Sequence, residues 1–220
     1  MICFDVHTHI IRVDNRSIFN LILKEDSLAI PEAFFSSGIH PWYITDNWRM
    51  ILEDHFQKDY KQRVAIGETG IDMLKGANIK LQEMVFMAHI EWALNLKMPL
   101  VIHSVRSSQR IIEILRDMKF QFPVVIHGFR QGMEVAKKFL SEGYYLSLGV
   151  YVDHAWQKLT EAIRYIPLDR ILIESDDYDG DCCEIYQQIA HIKGISADEL
   201  DNRILLNVKK CFQQIDEKLA

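Results

Sequence analysis

The chain has 220 residues, 49% of them hydrophobic, with only ten Gly and five Pro, enough material for one sizeable core and read as one domain over residues 1–220. A formal net charge of -6 argues against a broad basic surface built for non-specific nucleic-acid binding, although bound cations would override it locally. No apolar run approaches membrane-spanning length and Asp5 and His7 interrupt the opening stretch, so the expectation is a cytoplasmic protein with no membrane association.

In chain order, eight short apolar runs read as strands: ICFDV, IFNLIL, AFFSS, VAIG, PLVIH, PVVIH, YYLSLG and ILIES. From the third onward they alternate with helical stretches at residues 46–59, 78–97, 107–119, 131–143 and 155–166, and two more helices follow at 181–194 and 196–214. In the long helix Leu81, Val85, Ala88, Trp92 and Leu96 form a stripe expected to face the core. Ser196 with Glu199 three residues on has the pattern of a capping box. Eight strands with intervening helices fit an α/β TIM (β/α)8 barrel, with a doubly wound open sheet as the competing architecture. Too little chain separates the first three strands for full helices, so the outer ring of the barrel is expected to be incomplete there.

The polar groups fall in a positional pattern. The first strand runs into His7 and His9, the fourth into Glu68, the fifth into His103, the sixth into His127 and the eighth into Asp176. In a parallel barrel those ends share the face where active sites are built. A single histidine at a strand end is more often structural than a ligand, but five strands ending this way is a strong conjunction. Imidazoles with carboxylates suit zinc or manganese, with magnesium at an oxygen-rich position. Six donors exceed one tetrahedral ion, and two ions sharing one carboxylate would use them all. Asp5 has the same strand parity and is expected to accept an imidazole N–H and orient the ring. Glu174 also faces inward, in an ion pair, a hydrogen bond or catalysis. Cys3, Cys182, Cys183 and Cys211 show no disulfide framework or zinc-ribbon spacing and are read as reduced thiols, with Cys3 packing between barrel and helices.

Taken together, DVHTH, GIHPW, AIGETGID, VIHSVR, VIHGF and ILIESDD resemble the TatD family of metal-dependent hydrolases, within the amidohydrolase superfamily. The helix bearing Gln82 and Phe86 and the closing Asn207 and Phe212 are similar to the family's signatures as well. The resemblance implies a phosphoester hydrolase, usually a deoxyribonuclease, with His7, His9 and Asp176 on one ion, His103 and His127 on another, and Glu68 bridging. Water activated between the ions would attack, with Asp176 orienting it and taking its proton. His40 in GIHPW would contact substrate or merely shape a turn. Arg106 and Arg130, each three residues past a proposed ligand, would clamp a phosphate. His55, His89, His154 and His191 fall in or beside helices and are expected to pack or face solvent.

Against the family pattern, the first His pair and the GIHP turn are separated by less chain, FRQG replaces FSG, and the loop after the eighth strand is short. DNA is therefore one expected substrate and a small phosphoester, amide or lactone another. A non-catalytic metal-binding protein is a third reading. Trp42, Phe129, Tyr151 and Tyr178 are candidates for stacking on bases, and no obligate protein partner is evident.

Overall fold

A computed structural model describes residues 1–12, 16–25, 29–149 and 156–215, with the side chains of 156 and 157 excepted. Eight parallel strands run in sequence order around one sheet: β1 (Asp5–Thr8), β2 (Ser17–Ile22), β3 (Phe35–Gly38), β4 (Arg63–Asp72), β5 (Leu100–Val105), β6 (Val124–Ile126), β7 (Tyr145–Leu148) and β8 (Ile171–Ile173). The sheet curls on itself into a TIM barrel. Its seam is a parallel bridge between Thr8 and Asp176, where His9 N–H donates to Asp176 O (3.0 Å) and Asp176 N–H to His7 O (2.9 Å).

The helices are α1 (Trp48–Phe56), α2 (Ile79–Leu96), α3 (Ser108–Asp117), α4 (Met133–Ser141), α5 (Trp156–Tyr165), α6 (Cys182–Lys193) and α7 (Ala197–Cys211). Among the described residues none lies between β1 and β2 or between β2 and β3, so the ring is incomplete where the short connections required it. No helix among them is long and apolar enough to cross a membrane.

Local sequence explains the starts and faces of these helices. Asn78 caps α2 by accepting the Leu81 N–H (3.0 Å), and Ser196 caps α7 by accepting the Glu199 N–H (3.1 Å). On α3 the buried residues are Ile111, Ile112, Ile114 and Leu115, each contributing roughly 1.5–3 kcal/mol by leaving water. The core face of α2 differs from the expected stripe. Gln82, Val85, Phe86, His89, Ile90 and Ala93 point inward, whereas Leu81, Ala88, Trp92 and Leu96 are only partly buried. Two of the inward residues are polar and bond to backbone, which a hydrophobicity pattern cannot register.

Two further expectations are corrected. Glu68 and His103 lie inside their strands rather than at the ends. β4 keeps pairing with β5 through Asp72 because Gly70, at φ +143°, has no Cβ to strike the His103 carbonyl, which would lie 2.1 Å away. Cys3 is not a thiol: it precedes β1 and forms a disulfide with Cys183 in the first turn of α6, across a sequence separation of 180. Cys182 and Cys211 remain buried thiols. The same N-terminal segment is held by Asp201 of α7, which accepts the N–H groups of Ile2 (2.6 Å) and Cys3 (2.9 Å).

Candidate metal centre

The inward parity of β1, β4 and β5, together with the residues just beyond β6 and β8, brings all six expected metal-binding side chains to one mouth of the barrel. Glu68, 3% exposed, is the hub. Its Oε2 lies 3.6 Å from His7 Nε2, and its Oε1 lies 2.9 Å from His103 Nδ1 and 3.5 Å from His127 Nε2. Asp176 Oδ1 stands 3.4 Å from His9 Nε2 and 4.0 Å from His7 Nε2. Donor atoms of His7, His9 and Glu68, of His7, His127 and Asp176, and of His40, Glu68 and His103 each cluster within 4.8 Å. His40 therefore stands among the donors, and His127, its ring centroid 3.9 Å from that of His7, reaches toward both sides of the site.

The electrostatics follow from crowding charged groups in a dry place. Burial would raise the Glu68 carboxyl, but His127, His103 and His40 hold it well below the usual carboxylate range. Burial would likewise neutralise His127, yet Glu174, Glu68 and Asp176 win and push its ring up to about 10. Burial lowers His7 well below the ordinary imidazole value, and the positive His127 ring beside it adds to the effect. Burial opposes ionisation of Asp176 too, but the His9 contact and the His127 charge bring it to about 2. The His9 ring is raised by the same contact with Asp176, against its burial.

Two features fit a cation. Both ring nitrogens of His7 are buried without a hydrogen-bond partner, an arrangement that costs about 1–3 kcal/mol for each polar group left unpaired. The donor set, imidazole nitrogens around carboxylates, is the chemistry that zinc and manganese take.

The remaining expected residues fall as follows. Asp5 does not touch a ring. Its Oδ1 accepts the N–H groups of His7 (3.2 Å) and Ser175 (3.0 Å), and its Oδ2 accepts the Ser175 hydroxyl (2.6 Å), so it fastens β1 to the chain after β8. Burial, opposed by those bonds, pushes it up to about 6. Glu174 accepts the Gly128 N–H (2.7 Å), and its Oε1 lies 2.9 Å from His127 Nδ1, close enough to pair in charge but misaligned for a hydrogen bond. His40 accepts the Trp42 N–H at Nδ1 (3.1 Å) and directs Nε2 to Glu68 Oε1 (3.3 Å). Arg106 and Arg130 are exposed and line a cleft of about 410 Å³ that continues from the pocket past His103 and His127.

Of the aromatic candidates, Trp42 is 39% exposed at the rim, whereas Phe129 is buried and Tyr178 donates to Glu184. Tyr151 and His154 lie outside the described residues. His55 and His89 are buried packing residues, and His191 is exposed on α6.

Sequence reasoning passed over two partners. Asn20 on β2 donates to Glu68 Oε2 (3.0 Å) and accepts the Glu68 N–H (3.1 Å). Asp72 on β4 pairs with His103 Nε2 at 3.2 Å. Signals existed for both: Asn20 is a lone amide in an apolar strand, and Asp72 shares the parity of Glu68.

Compared with known proteins, residues 5–213 match the family model described as TatD related DNase. An uncharacterized metal-dependent hydrolase of Buchnera aphidicola subsp. Baizongia pistaciae is 38% identical over 144 residues, covering 64% of this chain and 54% of the relative. With a second Buchnera relative matched over 58% of its length, the chain spans just over half of these two proteins. The metal-dependent hydrolase YcfH of Escherichia coli K12 is 30% identical over 195 residues, with 81% of this chain and 73% of the relative covered. A 3'-5' ssDNA/RNA exonuclease TatD of Erwinia tasmaniensis is 26% identical, with 80% and 77% covered. The crystal structure of YjjV, a TatD homologue from Escherichia coli K12, superimposes with a TM-score of 0.83 at 19% identity over 97% of this chain and 99% of that one, a likeness of fold.

Proposed function

Since the chain belongs to the family of TatD-related DNases, whose members are metal-dependent hydrolases, we propose that it cleaves phosphoester bonds in nucleic acid with two divalent cations. The observation that carries this reading is the Glu68 carboxylate, one oxygen toward His7 and the other toward His103 and His127, the disposition of a bridge between two ions. His7, His9 and Asp176 would hold one cation and His103 and His127 the other. Bound there, the pair would supply water acidified toward a pKa of ~7 and neutralise charge on a phosphoryl oxygen.

The chain's own groups then divide the remaining work. Asp176, ionised and 30% exposed at the mouth, is placed to accept the proton of the attacking water. Because the Trp42 N–H fixes His40 Nδ1 as an acceptor, Nε2 of the neutral ring carries a hydrogen that can hold Glu68 or a substrate oxygen. Arg106 and Arg130, along the adjoining cleft, are suited to grip a phosphate by bidentate contacts. The relative named as a single-strand exonuclease supports a nucleic-acid strand as the substrate.

The test combines metal analysis with product analysis. Two equivalents of zinc or manganese per chain, falling in Glu68→Gln, and single-stranded DNA shortened by wild type but not by Asp176→Asn, are the expected results. Intact DNA alongside hydrolysis of a phosphate monoester or a cyclic amide would move the substrate to a small molecule. A wild type that retains no metal would overturn the reading.

A further inference from the structure

Asp72 closes β4 on the wall of the same mouth, 3% exposed, and every direction around its carboxylate is taken. Oδ1 accepts the N–H groups of Leu74 (2.8 Å) and Lys75 (3.1 Å). Oδ2 accepts the indole N–H of Trp42 (2.7 Å) and lies 3.2 Å from His103 Nε2. Backbone and indole N–H groups can only donate, so three of the four partners demand lone pairs from this carboxylate. The fourth, His103 Nε2, meets the same acceptor, and once the opposite nitrogen is given to a cation rather than to Glu68 it is the one that carries the hydrogen.

That placement decides what the other nitrogen offers. A neutral His103 with its hydrogen on Nε2 presents a bare lone pair at Nδ1, 2.9 Å from Glu68 Oε1 and 3.3 Å from His40 Nε2. Two lone pairs facing each other at that distance repel unless the hydrogen on His40 Nε2, 3.3 Å from each, or a cation sits with them.

Asp72 is in turn held from outside the barrel by Gln82 of α2. The side chain of Gln82 accepts the Asp72 N–H (2.8 Å), and its two amide hydrogens are shared among the carbonyls of Asp72 (3.1 Å), Lys75 (3.1 Å) and Ala77 (2.6 Å). A rigid path thus runs from α2 through Asp72 to the His103 ring.

We propose that Asp72 is a positioning residue that fixes His103 in the Nε2–H tautomer and turns Nδ1 into the metal centre. The metal part of this rests on the reading of His103 as a ligand given above. A ligating histidine whose far nitrogen donates to a carboxylate is more basic and better oriented, and losing such a partner typically costs 10–100-fold in metal affinity. Through Oδ2 the same carboxylate registers Trp42, at the rim, to the ligand beneath it.

The experiment follows the tautomer and the metal separately. Nitrogen-15 spectra of the histidine-labelled, metal-free full chain would be recorded at a pH where the ring is neutral, with the His103 signals assigned by their loss in His103→Asn. Wild type is expected to hold its hydrogen on Nε2, and Trp42→Phe, which removes the indole donor to Asp72 but leaves the carboxylate in place, to keep it there. Asp72→Ala is expected to shift the hydrogen toward Nδ1 or mix the tautomers, and to weaken zinc binding 10–100-fold with its far-UV dichroism retained. Wild-type His103 with its hydrogen on Nδ1 would overturn the proposal whether or not Asp72→Ala folds. So would a folded Asp72→Ala with unchanged tautomer and zinc affinity. A wild type that binds no zinc but holds the Nε2–H form would sink the metal reading while supporting the hold of Asp72 on the ring.

Discussion

Two histidines, His89 between α2 and β3 and His7 at the barrel mouth, are equally hidden, at 0% and 1% exposed, yet they live in opposite surroundings. His89 accepts the Ile39 N–H at Nε2 (2.9 Å) and faces the Val85 carbonyl with Nδ1 (2.7 Å), so both nitrogens are used and the tautomer is set by backbone. Neither nitrogen of His7 has a hydrogen-bond partner, and the nearest groups are another imidazole and two carboxylates. Burial is the same in the two regions. What separates a packing histidine from one built to hold something is whether its hydrogen-bonding capacity is already spent.

The contrast is strongest at its centre, Glu68. Glu68→Gln keeps the shape but removes the charge shared by both sides of the site, and DNA hydrolysis is expected to fall by more than about 100-fold, beyond the effect of losing an outer partner. A change of less than tenfold in a kinetic assay at saturating zinc would break the picture.

Next in size is the exchange of roles between the two rings. His89→Ala leaves a hole and an unpaired Ile39 N–H and should cost about 3 kcal/mol in urea unfolding. His7→Ala in the metal-free protein removes an unsatisfied ring and should change stability by less than about 1 kcal/mol while losing the cation assigned to His7, His9 and Asp176, so that metal analysis falls from two equivalents per chain to one. Equal losses in both variants would erase the distinction.

Metal should then stabilise wild type more than His7→Ala. At a free zinc concentration of about 100 times the dissociation constant, each occupied site should add about 2.7 kcal/mol by mass action, read as a rise in Tm, and His7→Ala should show the smaller rise of a single site.

The smallest effect is one of pH. Burial lowers His89 from 6.5 to about 4, outweighing the Val85 carbonyl contact that raises it. Between those values the unfolded chain binds a proton that the folded ring refuses, so this ring's contribution is complete above pH 6.5 and is lost as the pH falls toward 4. The slope is about 1.4 kcal/mol per pH unit within that window. In unfolding curves compared with His89→Gln, whose amide can still accept the Ile39 N–H, the wild type should show the steeper loss below pH 6.5.

The barrel was legible because each strand is a short β-branched run and each helix an amphipathic stretch of fitting length, so alternation alone ordered β1 to β8. The mouth of the barrel was legible because His7, His9, Glu68, His103, His127 and Asp176 follow those runs at matching places. What escaped lies where polar residues face inward for reasons of hydrogen bonding. Gln82 and His89 occupy the core face of α2 and shift its apparent stripe by one position, since a periodicity reading assigns amides and imidazoles to solvent. Asp5 was expected on a ring and instead binds the backbone of its own strand and of Ser175, because two residues along a strand the nearest N–H belongs to the chain itself. Asp72 was hidden by the length of β4, whose pairing with β5 depends on the missing Cβ atoms of Gly67 and Gly70. The pairing of Cys3 with Cys183 has no local signature at all, since it depends on α6 folding back over the start of the chain.

That last link makes nearly the whole molecule a closed ring. A protease that nicks any exposed connection between residues 3 and 183 would leave two fragments that still migrate together on a denaturing gel, parting only when a thiol reductant is added. On the chain-entropy account a covalent loop of this size restrains the unfolded chain by roughly 5 kcal/mol, so reduction should make the barrel easier to melt.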